Sequence, residues 1–440
     1  MDQLGIHVTK LISTQVLLAL CTFLFASLAG ASAVNVKNYG YPITDRFAAT
    51  VVGTPEGYEA QLPKHIPFKE KRIIIFPDRV TPDVFFYGHE LFYSAALQDD
   101  AAPLMFLIAG TGASHSGTKN YDMARAFYQA GFHVIAISSP TYNNFVTAAS
   151  KTGVVGDAER DAEDIYRVFE MIWAEVKDDI EVTGFNVTGY SLGGFNAAYV
   201  SKLDEERQSF NFEHVLLINP PVSIYNSMSL LDRMIQNIPG GVDNFDTFVN
   251  KLIHAYTTTY KESADAGGDD FLYKVYKALD LKDEELAALI GTSFRISSAS
   301  LVFTSDVVAN YGYIKPRGLP LNRYSDLTIY NEVALRLGFT DYYHEFFFPY
   351  YRADYPGITR DEFISAISLH SITDYLRTTK KITVMHNADD VILEPGEINF
   401  FPKVFGDRAT IYPYGGHCGN MNYSENVAHM VATFTEQGNR

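Results

Sequence analysis

The sequence contains very little cysteine. Its 440 residues include only Cys21 and Cys418. Cys21 lies in an N-terminal segment that is predicted to be removed, and the remaining chain would then hold a single cysteine, which excludes an intramolecular disulfide. Export therefore has to be inferred from the N-terminal segment and not from cysteine usage.

Positive charge is also scarce. Lys and Arg number 35 against 52 Asp and Glu, so the formal net charge is -17. This charge repels nucleic-acid phosphates and anionic membrane surfaces, and no local Lys/Arg cluster offsets it. We therefore expect no nucleic-acid partner.

The N-terminal apolar run, 16–28, is too short to span a bilayer comfortably. Lys10 precedes this run, and Ala31-Ser32-Ala33 follows it as a small-x-small cleavage signal before Val34. Residues 1–33 are therefore predicted to be a signal peptide, with a secreted or periplasmic mature protein and no stable membrane span. The alternative is an uncleaved signal anchor over 11–30, which would attach the protein to a membrane.

Histidine pairs with metal-ligand spacing are missing as well. The 12 His residues form neither an HxH nor an HxxxH pattern, the spacings typical of metal ligands on one strand or helix. The sequence predicts no metal and no cofactor.

What the sequence does contain is an alternation of buried strands and amphipathic helices. Continuous apolar runs at 102–110, 131–140 and 214–221 are typical of strands buried on both faces of a parallel sheet. A helical face begins at Asp157. The pattern predicts a mostly parallel α/β sheet, with further strands at 71–79, 84–97, 185–190, 380–387 and 409–416, a helix at 118–130 and a final helix after Asn422.

One long segment interrupts this alternation. Residues 221–379 show helical spacing and no convincing buried parallel strand, so we predict a helical cap inserted between two core parts, 34–220 and 380–440. Gly291 is expected to end one of its helices. The stretch 342–355, YYHEFFFPYYRADY, could form the core of the cap or an aromatic wall for an apolar substrate.

Ser191 is the candidate nucleophile. It lies in Gly189-Tyr190-Ser191-Leu192-Gly193, where a predicted strand changes into a predicted helix. A serine in such a turn is held above the sheet by a strained backbone, and glycines on either side avoid collisions with neighbouring backbone.

A serine nucleophile needs a base, and the base needs a carboxylate to orient it. His417 follows the last predicted strand, and Asp389 and Asp390 follow the strand before it. All three positions are therefore expected at the same edge of the sheet. Neighbouring side chains in a turn point apart, so only one of the two aspartates can meet His417.

The order Ser, Asp, His around a nucleophile elbow resembles the α/β-hydrolase superfamily, in particular its esterase, lipase and acyl-hydrolase members. The resemblance covers residues 70–220 and 380–440. It implies Asp389 as the acid, with Asp390 as the alternative. Some members carry the acid after the preceding strand, but Asn219-Pro220-Pro221 occupies that position here.

The same resemblance implies an oxyanion hole built from backbone N–H groups. One donor is expected from Leu192 and the other from the loop after 102–110, at Thr111 or Gly112. His115 lies in this loop, and we expect it at the surface unless it contacts substrate.

Together these features predict a serine hydrolase that forms an acyl-enzyme intermediate. The expected substrate is a small to medium apolar carboxylic ester, as for a carboxylesterase or a lipase. A serine peptidase or amidase acting on short peptides is the nearest alternative. A non-catalytic binding protein with a hydrolase fold is the second. The oligomeric state cannot be predicted.

Overall fold

The structure is a computed structural model that describes residues 34–251, 254 and 281–435. The predicted signal peptide lies outside these residues, as does most of the segment 252–280 within the predicted cap.

A nine-stranded, mostly parallel sheet forms the centre of the fold, in the order β1-β9-β8-β7-β6-β4-β5-β3-β2. Strand β3 is antiparallel to both of its neighbours, and the remaining pairs are parallel. The predicted sheet is confirmed. The strands are β1 (Val34–Asn35), β2 (Lys69–Ile73), β3 (Leu91–Ala96), β4 (Ala102–Ile108), β5 (His133–Ile137), β6 (Val182–Tyr190), β7 (His214–Ile218), β8 (Ile382–Asn387) and β9 (Ala409–Tyr412).

Helices cover both faces of the sheet. They are α1 (Arg46–Val52), α2 (Thr118–Gln129), α3 (Asn143–Ala148), α4 (Ala158–Val176), α5 (Leu192–Arg207), α6 (Ile224–Met234), α7 (Asp283–Ala309), α8 (Thr328–Ala334), α9 (Phe339–Asp341), α10 (Phe348–Tyr351), α11 (Arg360–Ala366), α12 (Thr373–Thr378), α13 (Phe400–Phe405) and α14 (Ser424–Thr435). A further helical stretch covers 245–251. Short 3₁₀ turns lie at Asp83–Phe85, Ile235–Asn237, Val242–Asn244, Leu369–Ile372, Glu397–Asn399 and Gly406–Arg408.

The position of strand β4 in the sheet explains why its sequence is apolar throughout. Leu104, Phe106 and Ile108 belong to the core under α4 and α5, whereas Met105 and Leu107 belong to the core under α2 and α14. Successive side chains of a strand point to opposite faces. Because both faces are covered by helices, every position of this strand except Pro103 is buried.

Between β7 and β8 the described residues form helices and no strand. Most of the aromatic stretch 342–355 packs on itself: Tyr343, Phe346, Phe347 and Tyr351 are buried in one cluster that continues into the core of the sheet. A π-helix over Tyr342–Phe347 joins α9 to α10. The stretch is therefore mainly core.

The longest helix of this segment is α7. Gly291 lies inside α7 and does not end a helix, which corrects that prediction. A Cβ at Gly291 would overlap the backbone of Met234 and Ile235, so the glycine permits a close crossing of α7 and the end of α6. Among the described residues, α7 alone is long and apolar enough to cross a membrane, but 67% of its most apolar window is buried inside the protein, as in the core helix of a soluble protein.

Candidate active site

Ser191 occupies the sharp turn between β6 and α5. Its backbone has a φ of 55° and a ψ of -126°, a conformation that costs a non-glycine residue about 1–3 kcal/mol. The turn is held by a hydrogen bond from the Ser191 N–H to the carbonyl oxygen of Ile218, at 2.8 Å. The strained backbone presents the hydroxyl at the carboxyl edge of the sheet.

The glycines around Ser191 are required by close packing. A Cβ at Gly189 would overlap the backbone of Gly193, and a Cβ at Gly193 would overlap the carbonyl of Ile108 in β4. The glycines therefore allow α5 to start directly against the sheet. This agrees with their predicted role.

His417 lies in the loop between β9 and α14, and its side chain is 7% exposed. Its Nε2 is 2.9 Å from Oγ of Ser191. Its Nδ1 is 3.0 Å from Oδ2 and 3.1 Å from Oδ1 of Asp390. A carboxylate can only accept, so we assign the proton of the neutral imidazole to Nδ1. Nε2 is then free to accept the proton of the serine.

Asp390 is fully buried and makes three types of contact. Besides His417, its Oδ2 accepts a hydrogen bond from Nδ2 of Asn219 at 2.8 Å, and its Oδ1 accepts from the N–H of Ile392 at 3.0 Å. Burial opposes ionisation, but the charge and hydrogen bond of His417, with smaller contributions from His386 and Ile392, outweigh it and hold the pKa of Asp390 below its ordinary value.

Asp389 does not contact His417, which corrects the preference for Asp389 over Asp390. Its carboxylate instead accepts hydrogen bonds from the backbone N–H groups of Gly415 and Gly416, at 3.3 and 3.0 Å. The two side chains point apart in the turn after β8, so only Asp390 faces the base. Burial raises the pKa of Asp389 to about 6, against the opposing effect of the two N–H donors. Asp389 thus ties the end of β8 to the loop that carries His417.

The serine, the aspartate and the histidine follow β6, β8 and β9 at the same edge of one parallel sheet. That arrangement, with Ser191 on a strained strand-to-helix turn, decides the fold. It is an α/β-hydrolase fold. The predicted fold class is therefore confirmed.

The loop after β4 carries the other predicted residues. Thr111 and Leu192 line the same cavity as Ser191, and Leu192, as the first residue of α5, is one of the residues whose N–H groups have no partner within the helix. Gly112 differs, because its N–H donates to Oγ1 of Thr141 at 2.8 Å. Gly112 is thereby engaged with the protein, while Thr111 and Leu192 remain candidate donors.

His115, in the same loop, is buried and not at the surface as expected. Its Nδ1 is 2.7 Å from Oγ of Ser94 on β3, and its N–H donates to Oγ of Ser138 at 2.8 Å. Burial lowers the pKa of His115, which favours the neutral ring. These bonds attach the loop to β3 and to the end of β5.

A cavity of about 60 Å³ opens onto Ser191 and His417. Its lining is largely apolar and includes residues of α6, α7 and the region around 340, together with Val155 and Gly156. From the aromatic stretch 342–355, only Tyr342 reaches the cavity wall. The segment between β7 and β8 therefore supplies much of the lining of the cavity at Ser191.

Two supporting residues escaped the sequence analysis. Thr50 on α1 accepts a hydrogen bond from the N–H of His417 at 2.8 Å and donates to the carbonyl of Arg46. Asn219, at the position where some hydrolases of this fold carry the acid, donates to Asp390 instead. The Asn219 backbone has a φ of 46°, a left-handed conformation that asparagine tolerates better than most residues. No local pattern connects Thr50 with a loop more than 360 positions away, whereas Asn219 could have been found from its place after β7.

No group of three or more His, Cys, Asp or Glu side chains that could hold a metal ion occurs in the described part of the chain. Cys418 is buried in the apolar core beside α2 and α14, with its Sγ 3.9 Å from Nε2 of His417.

Comparisons with known proteins add little to this geometry. No protein-family model matches the sequence, and no curated protein matches it. Among solved structures, a membrane phospholipase A described as a bacterial virulence factor aligns with a TM-score of 0.42 and 14% identity, over 99% of this chain and 98% of that one. An esterase from Pyrococcus furiosus aligns with a TM-score of 0.42 and 11% identity, over 90% and 99%. A thioesterase domain from the curacin biosynthetic pathway aligns with a TM-score of 0.37 and 11% identity, over 83% and 98%. Likenesses this distant identify no reaction.

Proposed function

We propose that this protein is a serine hydrolase that cleaves carboxylic esters through an acyl-enzyme intermediate. The observation that carries the proposal is the chain of contacts from Ser191 through His417 to Asp390, with Oγ to Nε2 at 2.9 Å and Nδ1 to the carboxylate at 3.0 Å. These distances lie within the range in which a general base can take the proton of its nucleophile.

In this mechanism Oγ of Ser191 attacks the ester carbonyl carbon while Nε2 of His417 takes the hydroxyl proton. Asp390 holds the imidazole in the required tautomer and stabilises the imidazolium. The proton then passes from Nε2 to the leaving alcohol, and the acyl group stays on Ser191. Water attacks the acyl-enzyme with His417 again as the base, which releases the acid and restores the serine.

The negative charge that develops on the carbonyl oxygen needs donors beside Ser191. The backbone N–H groups of Leu192 and Thr111 are the proposed donors, since both residues line the cavity at the nucleophile. Thr111→Pro removes one of them, and we expect a 10²- to 10³-fold lower kcat. Thr111→Ala keeps the N–H and is the matched control.

Esters fit the cavity better than peptides. Its apolar lining suits an alkyl acyl group, and its enclosure by α6 and α7 disfavours a folded polypeptide. The same apparatus cleaves amides, so a panel of p-nitrophenyl esters against short peptide amides tests this part of the proposal. Hydrolysis of the peptide amides alone would show that the protein is a peptidase and not an esterase.

Labelling with a fluorophosphonate probe tests the serine mechanism. Wild-type protein is expected to be labelled and Ser191→Ala is not. The chain provides a matched control in Ser94, a second serine in hydrogen-bond contact with a histidine but buried away from the cavity. Ser94→Ala should retain the label. Labelling of Ser191→Ala at the wild-type level, or none of the wild type, would leave a binding protein as the better interpretation.

We also propose that the protein is exported and that residues 1–33 are removed. The proposal is supported by the apolar run 16–28 and the Ala31-Ser32-Ala33 signal. N-terminal sequencing of the native protein should begin at Val34. An intact N-terminus in the membrane fraction would support the signal anchor instead.

A further inference from the structure

The cavity beside Ser191 is small, and its volume limits the size of the acyl group that it can accept. It measures about 60 Å³ and touches both Ser191 and His417. An acyl group on the serine therefore has this cavity beside it. Its apolar lining includes Met228 and Leu231 of α6, Phe294 and Leu301 of α7, and Phe339 and Tyr342.

The volume limits the number of carbon atoms that fit. A cavity of about 150 Å³ is known to accept benzene, with six carbons, and a single water needs about 10–15 Å³. By the same measure 60 Å³ holds about two to four carbons. A longer chain would have to extend out of the cavity or displace the side chains that line it.

The chemistry of the walls excludes a strongly polar acyl group. The hydroxyl of Tyr342 donates to the carbonyl of Val155, and that of Ser227 donates to the carbonyl of Ile392. Thr141 is engaged with Gly112 and Ser139. These hydroxyls already have protein partners. Among the described residues that line the cavity, His417 and Tyr342 are the only ionisable ones. A charged or amide-bearing acyl group would lose its hydration there without compensation.

We propose that the acyl group accepted by this site is a plain alkyl chain of about two to four carbons, and that Leu231 sets its upper length. The inference rests on the proposed ester hydrolysis and adds its substrate class. Leu231 is buried and lines the cavity, and Phe294, which also lines it, packs against the apolar cluster to which Leu231 belongs.

The test is the chain-length profile of kcat/KM for p-nitrophenyl esters from acetate to decanoate. Wild-type enzyme is expected to be fastest between acetate and butyrate and to fall tenfold or more by octanoate. Leu231→Ala removes three carbons from the wall, so its optimum should move to chains longer by about three carbons. Leu231→Phe should restrict the enzyme to acetate.

Leu230→Ala is the matched control. Leu230 precedes Leu231 on α6 but lines a different cavity, together with Arg233 and Glu394. Its truncation should leave the profile unchanged. Because truncation of the buried Leu231 also costs stability, Phe294→Ala at a half-buried position provides a second enlarged cavity, with the same expected shift.

Fluorophosphonate labelling of each preparation separates the possible failures. If the wild type is labelled but prefers octanoate or decanoate, the short-chain proposal is wrong while the serine hydrolase stands. If both enlarged variants are labelled normally and keep the wild-type profile, Leu231 does not set the limit. If the wild type is not labelled, the proposed function fails, and this inference fails with it.

Discussion

Nδ1 of His417 lies 3.0 Å from Oδ2 of Asp390, whereas the carboxylate of the preceding residue, Asp389, is bonded to the backbone of Gly415 and Gly416. Two adjacent carboxylates therefore hold the same histidine in different ways. Asp390 orients the ring, and Asp389 positions the loop that carries it.

The two aspartates make a matched pair of variants. Asp390→Asn is expected to lower kcat by about 10³- to 10⁴-fold, because an amide there favours the wrong tautomer of His417. Asp389→Asn should cost no more than about tenfold, since its amide oxygen can still accept one of the two N–H groups. The kcat of ester hydrolysis in the two variants decides which aspartate is the acid. A larger loss of kcat in Asp389→Asn than in Asp390→Asn would identify Asp389 as the acid.

The reaction rate should rise with pH. Burial would lower the pKa of His417, but the charge of Asp390, with a smaller contribution from Cys418, outweighs burial and raises this pKa above its ordinary value. Only the neutral ring can act as the base, so kcat/KM is expected to rise with pH through an apparent pKa above 6.5. Asp390→Asn removes the charge, and the residual activity of that variant should show its midpoint at lower pH. An unchanged midpoint would show that Asp390 does not set this pKa.

Asp389 should give the protein a distinctive pH dependence of stability. Its pKa in the folded protein is raised from 3.8 to about 6, so between these values the folded form binds the proton more readily than the unfolded form. The contribution of Asp389 to the free energy of unfolding therefore decreases as the pH rises from about 4 to about 6. Urea unfolding of wild type and Asp389→Asn across this range isolates the effect as a difference. If the contribution of Asp389 to the free energy of unfolding increased with pH instead, the N–H donors of Gly415 and Gly416 would outweigh burial in setting its pKa.

Asn219 is expected to align the acid. Asn219→Gly keeps the left-handed backbone at this position but removes the donor to Asp390. Hydrogen bonds to charged groups contribute about 1.5–3 kcal/mol, so kcat should fall by about tenfold or more while KM stays nearly constant. The midpoint of the pH profile of kcat/KM is the second readout. A purely structural defect would lower the amount of active enzyme without moving this midpoint. Active-site titration with the fluorophosphonate measures that amount.

Thr141 should hold the loop that supplies the second oxyanion donor. Its Oγ1 accepts from the N–H of Gly112 at 2.8 Å, next to Thr111. Thr141→Val keeps the shape but leaves this N–H without its partner, and we expect about a tenfold lower kcat. Thr141→Ser retains the hydroxyl and should stay close to wild type. Equal activity of the valine and serine variants would show that the hydrogen bond has no role in turnover.

The sequence by itself determined the sheet and indicated the candidate nucleophile and the candidate base. Runs such as 102–110 are apolar at every position, which only a strand covered on both faces requires, and β4 is buried on both faces. Ser191 and His417 could be chosen because each lies near glycines in the segment that follows a strand, a local pattern that is visible in the sequence.

Tertiary structure decided the rest. The choice between Asp389 and Asp390 depended on which side chain of one turn faces a loop about 27 positions away. Thr50 and Asn219 acquire their roles from helix and strand ends that meet only in the folded chain. Gly291, a helix terminator by local rules, lies within α7 because another helix crosses it there. Propensity and periodicity act between neighbours in sequence. Hydrogen-bond partners and cavity walls are set by contacts between distant segments, so only the folded structure determines them.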